Sequence, residues 1–564
     1  MTGIHPHNQV PDLENYNVYT SDPALRAAVA RGGADWHAAE LVRQGAEYGA
    51  AETLQAAADA NRFKPELQTL SRQGERVDAV HFHPGWHTMV AMARRNGITN
   101  LPYTDNRASA WVAYGATLFM HAQIESGSMC PSVMTKASIP VVRHNAALNA
   151  VLAPKFASNE HEPRDIPLTQ KRSITVGMGM TEKQGGSDVR TNETLAAPAG
   201  TGAWGDEFLL NGHKWFFSAP MCDGHLVLAK TAERGASCFF VPRWRPDGTK
   251  NRVEIQRLKD KVGNCSNASS EVEFHDAWGV LIGGEGRGIA TIIEMATYTR
   301  LDCALGSAGF IRQAFAQALF YARNRHAFGK ALAEQPLMTE LLADMALESE
   351  SATMLAMELA SHFGKEANAE GAENTGRETG RERGKDTPLD HAWRRLLTPA
   401  AKFWTCKRAI AIAGEAMEVF GGNGYVETAP MGRLYREAPV NSIWEGSGNV
   451  MCLDVLRAVS RHPEDMQLLA EHLAPIASQD KRVAQQLTLL QQMLRLPPVD
   501  LERQARRFTQ RLVLTVQACL MLQHASSAAS AAFVGSRFDP DWGCVTGISS
   551  GTDDPAALLE AAWA

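Results

Sequence analysis

The amino-acid sequence predicts an α+β fold that is mainly α-helical. Apolar residues recur at helical spacing from about residue 24 to residue 150, short β-prone runs fill residues 174–285, and long amphipathic stretches return after Gly288. A chain of 564 residues is too long for one compact core. We therefore expect three or four domains in the order helix, β, helix.

The N-terminal part of the chain has two sections. Residues 1–30 are polar and contain three prolines, which predicts an extended arm. The region that follows is rich in alanine, and its helical periodicity is clearest between Ala108 and Gln123. The sequence therefore predicts a helical domain at residues 31–173.

The middle of the chain carries five short runs of β-prone residues. They are separated by Asn-Gly, Pro-Asp-Gly and Gly-Asn sequences, which favour tight turns. The runs are Glu207–Leu210, His225–Ala229, Ser237–Val241, Val253–Gln256 and Glu271–Phe274. This spacing predicts a middle β domain at residues 174–287, built as a small antiparallel barrel or sandwich.

The C-terminal half is predicted to be helical. Amphipathic stretches lie near residues 289–325, 336–363 and 400–420. They predict a helical bundle domain at residues 288–460. A leucine-rich helical extension at residues 461–564 follows it, and its acidic end, from Ser549 onward, is expected to be loose.

One segment inside the bundle domain has a different composition. Residues 365–387 hold six acidic and five basic residues and no aliphatic side chain larger than alanine. Such a segment cannot bury enough apolar surface to offset the entropy lost on ordering. We predict a disordered insertion, with a functional tail as the alternative.

Charge and cysteine usage exclude several classes of protein. The formal net charge is -6 and the pI about 6.3, so the molecule as a whole offers no electrostatic argument for binding nucleic acid or a membrane. No apolar run approaches the length that spans a bilayer, and the nine cysteines include no Cys-x-x-Cys pair. The histidines between His81 and His87 lack an acidic or cysteine partner, which favours helix packing over a metal site. We expect a soluble cytoplasmic protein with no metal.

The segment Met180–Asp188, Met-Thr-Glu-Lys-Gln-Gly-Gly-Ser-Asp, has the composition of a cofactor-holding loop. Gly185 and Gly186 can take positive φ and expose backbone N–H groups. Thr181 and Ser187 supply hydroxyls that can bond a phosphate or a flavin carbonyl. On loop statistics alone, an ordinary Gly-Ser connection fits the segment equally well.

Further segments decide between these alternatives. In chain order they are Asn211–Ser218, Arg325–Gly329, Phe420–Tyr425 and Trp444–Asn449. Together with the loop, and in this order, they resemble the flavin-dependent acyl-CoA dehydrogenase superfamily, and the loop and the last segment look like its AidB-type branch, the DNA-alkylation-response flavoproteins. The resemblance covers about residues 10 to 530. It implies an acyl-CoA dehydrogenase-like fold with an N-terminal helical domain, a central antiparallel β-barrel domain and a C-terminal four-helix bundle plus an extra helical region.

The resemblance implies FAD as the cofactor. Thr181, Gly186 and Ser187 would line the flavin, while Phe216 and Ser218 would stand at the ring face and near N5. Phe216 replaces the tryptophan usual in the family, so an aromatic plate is retained; an aromatic core strand is the alternative for this stretch. The residues implied here are Met180, Thr181, Gly185, Gly186, Ser187, Phe216, Phe217 and Ser218.

The resemblance also implies a second half of the FAD site. Arg325 and Phe328 match the segment that reaches the adenosine pyrophosphate across a subunit interface. Glu418 stands where many relatives have Gln, which weakens one contact without removing the site. The residues implied here are Arg325, Phe328, Gln335, Glu418, Gly421, Gly422, Ile443, Trp444, Ser447 and Asn449. The implied assembly is a homotetramer, a dimer of dimers formed through the bundle.

Glu445 is the candidate general base. In the reaction of the superfamily, a carboxylate removes the α-proton of an acyl thioester while the β-hydrogen leaves as a hydride for the flavin. Partial desolvation would raise the pKa of such a glutamate toward working pH. The other base position used in the superfamily is occupied by Thr299, which cannot serve. A surface glutamate beside Trp444 is the alternative interpretation.

The C-terminal extension carries the argument for DNA. Within residues 481–511, seven basic residues oppose two acidic ones. Arg503, Arg507 and Arg511 repeat every four residues, which predicts a stripe along one helix that could neutralise phosphates. Arg457 matches a basic position that the AidB-type branch is thought to use for DNA. A solvated helix face or a salt-bridge seam in the tetramer is the alternative.

Two functions follow from these patterns. The favoured hypothesis is an FAD-containing protein of the adaptive response to DNA alkylation, which binds double-stranded DNA without strong sequence preference and protects it. It would retain weak acyl-CoA dehydrogenase activity of the isovaleryl type, with an acyl-CoA or a small alkylating molecule as its ligand. The alternative is an FAD-dependent dehydrogenase of short or branched acyl-CoA with no DNA role. The intact Glu445 favours chemistry, and the arginines favour DNA.

Overall fold

The computed structural model describes residues 8–364, 386–540, 542–543, 545–546 and 555–563. Its N-terminal part consists of helices and one hairpin. These are α1 (Pro23–Arg31), α2 (Ala38–Tyr48), α3 (Ala51–Arg62), β1 (Glu66–Leu70), β2 (Arg76–His81), α4 (Pro84–Arg95), α5 (Leu101–Thr104), α6 (Ala110–Ile124), α7 (Met129–Val142) and α8 (Ala146–Phe156). The helix predicted near residues 108–123 is confirmed as α6.

The hairpin of β1 and β2 is not part of the sequence prediction, which assigned this region to helices. In β1 exposed and half-buried residues alternate, which is the pattern of a strand with one solvated face. Leu67 of β1 and Val80 of β2 pack against the core of the β domain. The hairpin therefore covers part of that core and does not belong to a helical layer.

The middle of the chain forms one seven-stranded sheet. Its strands are β3 (Val176–Gly179), β4 (Leu195–Gly202), β5 (Gly205–Ser218), β6 (Gly224–Thr231), β7 (Gly235–Pro242), β8 (Val253–Leu258) and β9 (Ser269–Ile282). The order is β3-β5-β4-β6-β7-β9-β8, with additional pairings of β3 with β6 and of β5 with β9. All five predicted runs lie in β5 to β9, so these strands are confirmed.

The sheet is mainly antiparallel, as predicted, but β3 and, at one residue pair, β4 run parallel to β6. β3 pairs in parallel with β6, from Val176 opposite Gly224 to Gly179 opposite Val227. β3 enters the sheet from an irregular segment and not from a hairpin, so no tight turn forces it to run opposite to its neighbour. The core of the sheet is apolar and aromatic, with Phe217, Phe239 and Phe274 almost fully buried.

Within the described residues, the C-terminal half is helical apart from one hairpin, whose two strands have two residues each. Its elements are α9 (Gly288–Asn324), β10 (His326–Ala327), β11 (Lys330–Ala331), α10 (Pro336–Ser361), α11 (Pro388–Ala392), α12 (Thr398–Val419), α13 (Pro430–Asn441), α14 (Gly448–Arg461), α15 (Pro463–Ala477), α16 (Lys481–Met493), α17 (Pro498–Arg503), α18 (Ala505–His524), α19 (Ser527–Arg537) and α20 (Pro555–Ala561). The three predicted amphipathic stretches are confirmed as α9, α10 and α12.

A buried ion-pair network attaches the C-terminal extension to the bundle. Arg537 of α19 is fully buried and pairs with Asp344 and with Glu348 of α10, the latter at 3.1 Å. Glu348 also pairs with Arg408 of α12 at 3.2 Å. Removing one partner from such a network leaves a buried charge without its counter-ion, which is costly. The extension is therefore an integral part of the bundle core.

The predicted disordered insertion lies outside the described residues, except for its last two positions. Those two are ordered, because Asp386 pairs with Arg394 and Thr387 forms a capping box with Asp390 at the start of α11. The chain divides into two compact units. The helical unit comprises residues 1–51, 107–123 and 303–564, and the β-containing unit comprises residues 52–106 and 124–302. The domain boundaries drawn from the sequence stay predictions.

The described residues contain neither a candidate membrane span nor a candidate metal cluster. None of their helices combines the length and the apolar character needed to cross a membrane. Among the same residues, no three His, Cys, Asp or Glu side chains are grouped so that they could hold a metal ion. His83, from the histidine cluster of the sequence, instead caps α4 by accepting a hydrogen bond from the Gly85 N–H.

Candidate flavin and acyl-CoA site

The predicted cofactor loop follows β3 in the β-containing unit. Its position is fixed by the pairing of β3 with β5, in which Met178 lies opposite Ser218 and Gly179 opposite Phe217. Beyond the strand, the Trp215 N–H donates to the Thr181 carbonyl oxygen at 2.8 Å. The structure therefore brings Met180 and Thr181 beside the segment that holds Phe216 and Ser218, although the two are more than thirty positions apart.

The two glycines of the loop act differently from the sequence prediction. Neither Gly185 nor Gly186 has a positive φ. A tight turn is closed by reciprocal backbone hydrogen bonds between Glu182 and Gly185, of 3.1 and 3.3 Å. A Cβ atom on Gly186 would lie 2.7 Å from Oγ1 of Thr181, whereas one on Gly185 would meet no atom within 4 Å. The glycines therefore provide close approach and open space, which suits a loop that cradles a cofactor.

Glu182 holds this loop in place through hydrogen bonds with Lys214 of β5 and with Thr194, directly before β4, a role that sequence reasoning missed. Its carboxylate is fully buried and accepts hydrogen bonds from Lys214 Nζ at 2.6 Å and from Thr194 Oγ1 at 2.7 Å. The Glu193 N–H donates to its other oxygen at 2.6 Å. Burial raises the pKa of Glu182, but Lys214 and the hydrogen bonds outweigh it and bring the pKa to about 2. The loop is thus closed over an ionised carboxylate.

Phe216 and Phe217, adjacent in β5, lie on opposite faces of the strand, one exposed and one buried. Phe216 is half exposed, and Lys259 Nζ lies 4.5 Å from its ring centroid. Phe217 is fully buried in the sheet core and stacks on His225 with centroids 4.1 Å apart. The side chain of Phe217 therefore faces the sheet core, since strand alternation turns it away from the face that presents Phe216, and the predicted cofactor contact of Phe217 is left to its backbone. At Phe217, the core-strand alternative holds.

The second set of predicted cofactor residues lies in the helical unit, where α9 ends. Phe328 stands at the tip of the β10–β11 hairpin with φ +54° and is almost completely exposed. Gln335 Nε2 donates to the Ala327 carbonyl oxygen at 3.1 Å, which ties the hairpin to the start of α10. Arg325 donates to the Asn8 carbonyl oxygen.

The segment after α12 contacts the end of α9. Tyr321 stacks on Phe420 with ring centroids 4.2 Å apart, and Asn423 Nδ2 donates to its hydroxyl at 3.1 Å. A Cβ atom on either Gly421 or Gly422 would meet nothing within 4 Å. Open backbone therefore lies beside the segment of Arg325, as a pyrophosphate site requires. Glu418 is exposed at the last turn of α12.

Glu445 stands in the connection between α13 and α14, also in the helical unit. It is half-buried and has a left-handed backbone, with φ +57°, and Gly446 follows at φ +105°. A non-glycine residue in this region carries a cost of about 1 kcal/mol or more, and such residues concentrate at functional sites. Trp444 Nε1 donates to Asn441 Oδ1 at 3.0 Å, which fixes the indole before the turn. Ile443 is exposed.

Two cations hold this connection, and sequence reasoning missed both. Lys402 of α12 donates from Nζ to the Gly446 carbonyl oxygen at 2.8 Å. Arg506 of α18 donates to Oδ1 of Asn449, a predicted cofactor residue, at 2.9 Å, and lies 5.2 Å from the ring centroid of Phe403. Ser447 is the N-cap residue of α14. The separations along the chain, 44 and 57 positions, leave no local signal for either contact.

The arginine stripe predicted for DNA is interrupted. α17 ends at Arg503, Gln504 breaks the helix, and Arg507 and Arg511 lie on α18. Arg511 is half-buried and donates to Gln486 of α16, so it is not an exposed phosphate ligand. The prediction of one continuous stripe of three arginines is therefore wrong, because Gln504, with φ -101° and ψ 10°, leaves the helical conformation between Arg503 and the start of α18.

The remaining basic candidates are at the surface. Arg507 is exposed and makes no ion pair within the described part of the chain. Arg503 is paired with Asp500 at 3.4 Å, and Arg457 with Asp454 at 3.2 Å, and both arginine side chains are more than half exposed. The Arg503–Asp500 pair is exposed on both sides and contributes only about 0–1 kcal/mol, so a phosphate could displace the carboxylate. Asp454 is buried and also pairs with Arg395 at 3.3 Å, so a phosphate would bind the exposed guanidinium of Arg457 beside this pair.

Comparison with known proteins now decides the family. The N-terminal domain of the adaptive response protein AidB matches residues 8–163. The acyl-CoA dehydrogenase middle and C-terminal domains match residues 177–277 and 286–460. The chain is 44% identical to the AidB protein of Escherichia coli (strain K12) over 526 residues, which cover 92% of this chain and 91% of that protein. The chain belongs to the AidB branch of the acyl-CoA dehydrogenase family.

Solved structures agree with this family. The Caenorhabditis elegans acyl-CoA dehydrogenase ACDH-11, solved in complex with C11-CoA, superimposes with a TM-score of 0.81 at 26% identity and covers 93% of this chain and 90% of its own. An acyl-CoA dehydrogenase from Bacillus anthracis, solved with FAD, has a TM-score of 0.60 at 17% identity, covers 81% of each chain and supports the fold. The predicted fold class is confirmed. FAD, the cofactor predicted from the sequence, is the cofactor of this family.

Proposed function

We propose that this chain is an FAD-dependent acyl-CoA dehydrogenase-like protein in which Glu445 is the general base. The observation that carries the proposal is the left-handed, half-buried Glu445 at the connection of α13 and α14, held by hydrogen bonds on both sides. Bound FAD supplies the acceptor for a hydride. The carboxylate of Glu445 removes the neighbouring α-proton of the thioester, so that a carbon–carbon double bond forms.

Residues of the two units are suited to holding the cofactor. In the β-containing unit, Thr181 is bonded to Trp215, the residue before the half-exposed Phe216, and the buried, ionised Glu182 keeps the loop in one arrangement. In the helical unit, the open backbone at Gly421 and Gly422 suits the pyrophosphate. The residues assigned to the cofactor from the sequence remain proposals, with Phe217 now excluded as a side-chain contact.

Anaerobic mixing with acyl thioesters tests this function. The purified protein, loaded with FAD, is mixed with a panel of straight and branched acyl-CoA compounds, including isovaleryl-CoA, and the visible absorbance of the flavin is followed. We expect bleaching with at least one short or branched thioester. A flavin that stays oxidised with every member of the panel would contradict the dehydrogenase proposal.

Arg325 provides the prediction for cofactor binding and assembly. We expect the purified protein to be yellow with noncovalent FAD, and Arg325→Ala to loosen the flavin and weaken a homotetramer together, because this arginine is proposed to cross the subunit interface to the pyrophosphate. Flavin content after gel filtration and mass from light scattering are the measurements. Arg323→Ala is the matched control, since Arg323 pairs with Glu560 at 2.8 Å within the same chain. Equal flavin loss in both variants would contradict the assignment.

A second function is proposed for the C-terminal extension. We infer that it binds double-stranded DNA without strong sequence preference and shields it from alkylating agents, as part of an adaptive response in the cytoplasm. The supporting observation is the exposed basic surface at Arg503 and Arg507, close in sequence to a cluster of further basic residues in a chain that is otherwise acidic. Short-range phosphate contacts outweigh a distant negative field that is screened beyond about 8 Å at physiological ionic strength. A catabolic dehydrogenase without this surface function is the alternative.

Salt dependence separates these two outcomes. We expect the single variants Arg457→Ala, Arg503→Ala and Arg507→Ala each to lower the slope of log affinity against log salt by roughly 0.9, because each removes one phosphate contact. Arg511→Ala is the matched control and should leave the slope unchanged, since its side chain is bound to Gln486. Duplexes of unrelated sequence should behave alike. Binding with the same slope in all four variants, or no salt-sensitive binding by the parent protein, would favour the catabolic alternative.

A further inference from the structure

We propose that Lys402 is a positioning residue for Glu445. The inference rests on the proposed role of Glu445 as the general base. It starts from the hydrogen bond between Lys402 Nζ and the carbonyl oxygen of Gly446, the residue directly after Glu445. Lys402 touches neither substrate nor cofactor in this proposal, and it acts through the backbone of the connection between α13 and α14.

Burial of Lys402 at its position carries an unfavourable desolvation free energy. Its side chain is 1% exposed, in the first turns of α12, among residues that are themselves buried. An ammonium group out of water costs several kcal/mol unless a counter-charge compensates it. The hydrogen-bond acceptor of the Lys402 ammonium group is a neutral carbonyl oxygen at 2.8 Å. A lysine that served stability alone would be replaced to advantage by an apolar side chain, which points to a local task.

The task is visible in the backbone that Lys402 holds. Glu445 at φ +57° and Gly446 at φ +105° form two successive residues outside the conformations that ordinary side chains prefer. The last helical hydrogen bond of α13 runs from the Trp444 N–H to the Val440 carbonyl oxygen. That of the start of α14 runs from the Met451 N–H to the Ser447 carbonyl oxygen, so the Gly446 carbonyl oxygen lies between the two ladders. The ammonium of Lys402 supplies a hydrogen-bond partner for it from α12. It thereby selects the backbone arrangement that aims the Glu445 carboxylate.

The other two cations that contact the connection are bound more weakly or lie farther from Glu445. Lys407, also on α12, has its Nζ 3.5 Å from Ser442 Oγ, which is a long contact at the start of the connection. Arg506 acts on Asn449, four residues after Glu445. Of these three cations, Lys402 is the one bonded to a residue next to Glu445, so its loss should displace the carboxylate by a small distance and leave the rest of the segment attached.

The test compares Lys402→Met with Lys402→Arg and with Lys407→Met. Methionine has similar length but no donor, arginine keeps the donor and the charge, and Lys407→Met removes a neighbouring cation of the same helix. We expect Lys402→Met to lower kcat by roughly 10- to 100-fold with KM within about threefold, since a misplacement near 1 Å can cost about 100-fold. Lys402→Arg should restore most of the rate, and Lys407→Met should stay within about threefold of the parent protein.

Two further readouts do not depend on turnover. Hydrogen exchange should be faster at the amides of residues 443–449 in Lys402→Met, while the amides of α12 exchange as in the parent protein. The Tm of Lys402→Met should be unchanged or higher, because a buried charge has been removed. A lower Tm with unchanged exchange in this segment would mean an ordinary structural role and would overturn the proposal.

The outcomes separate this inference from the proposed function. A parent protein that reduces no acyl-CoA contradicts the dehydrogenase proposal, and hydrogen exchange then decides the role of Lys402 by itself. A parent protein that is active, with Lys402→Met equal to it in both kcat and exchange, overturns the inference and leaves the function standing. Should Lys402→Met not fold, Lys402→Gln, which keeps a donor on a shorter side chain, replaces it with the same expectations at smaller amplitude.

Discussion

Glu445→Gln is expected to lower acyl-CoA dehydrogenation by roughly 10²- to 10⁴-fold, the usual contribution of a positioned general base. Glutamine has nearly the same volume and backbone preferences, so the left-handed conformation at this position should be retained. The measurement is the rate of flavin bleaching in single-turnover mixing with the best substrate of the acyl-CoA panel. FAD content and DNA affinity should equal those of the parent protein.

Glu427→Gln is the matched control for this variant. Glu427 lies shortly before α13, is 78% exposed and pairs with Arg436 at 2.7 Å, so the same chemical change is made at the surface. Its rate should stay within about threefold of the parent rate, because an exposed ion pair has little effect. Should Glu445→Gln also remain within that range, another group must abstract the proton.

Glu182→Gln should produce the largest loss of stability, about 3–5 kcal/mol, because it leaves the ammonium of Lys214 buried without its counter-ion. The cofactor loop should loosen at the same time, since Glu182 also accepts hydrogen bonds from Thr194 and from the Glu193 N–H. Thermal or denaturant unfolding measures the first effect, and the rate of flavin release measures the second.

The double variant Glu182→Gln with Lys214→Met separates charge from packing. It should recover a large part of the stability, because the uncompensated cation has been removed as well. Glu427→Gln, at the exposed pair with Arg436, should change the free energy of unfolding by no more than about 1 kcal/mol. A double variant as unstable as the single one would mean that the hydrogen bonds of Glu182, and not its charge, hold the loop.

The same carboxylate predicts a pH dependence. The pKa of Glu182 is lowered from 4.5 to about 2 in the folded protein, so the folded state binds its proton more weakly than the unfolded state does. Its contribution to stability is therefore complete above the ordinary carboxyl range and is lost as pH falls toward 2. The difference in stability between the parent protein and Glu182→Gln should shrink over that interval.

Much of the fold could be predicted from periodicity, because the burial pattern of each element is written locally. The ends of α9, α10 and α12 agree with the amphipathic stretches to within two residues, and the five β-prone runs all lie in strands. The β1–β2 hairpin could not be predicted in the same way. One face of its short strands is buried only because it packs against the core of a sheet formed by residues far along the chain. The direction of β3 is likewise a property of the whole sheet.

The candidate site shows a similar division. The order of five short segments in the sequence identified the family and its cofactor and made Glu445 the candidate base, because catalysis needs particular residue types at particular places. The burial of the Phe217 side chain could not be predicted, since the sequence does not say which face of a strand meets the core. The arginine stripe failed at Gln504, where a break of one residue changes the direction of every later side chain.

By itself, the sequence determined the helix–β–helix order and membership of the family, and it predicted the cofactor loop and Glu445 as the base. Only the tertiary structure decided what supports them. The bond from Lys402 to Gly446, the contact of Arg506 with Asn449 and the buried pair of Glu182 and Lys214 join positions separated by 32 to 57 residues. Such contacts depend on how whole elements pack. The sequence around a charged residue does not show whether its side chain will be solvated by water or will bond to a backbone group far along the chain.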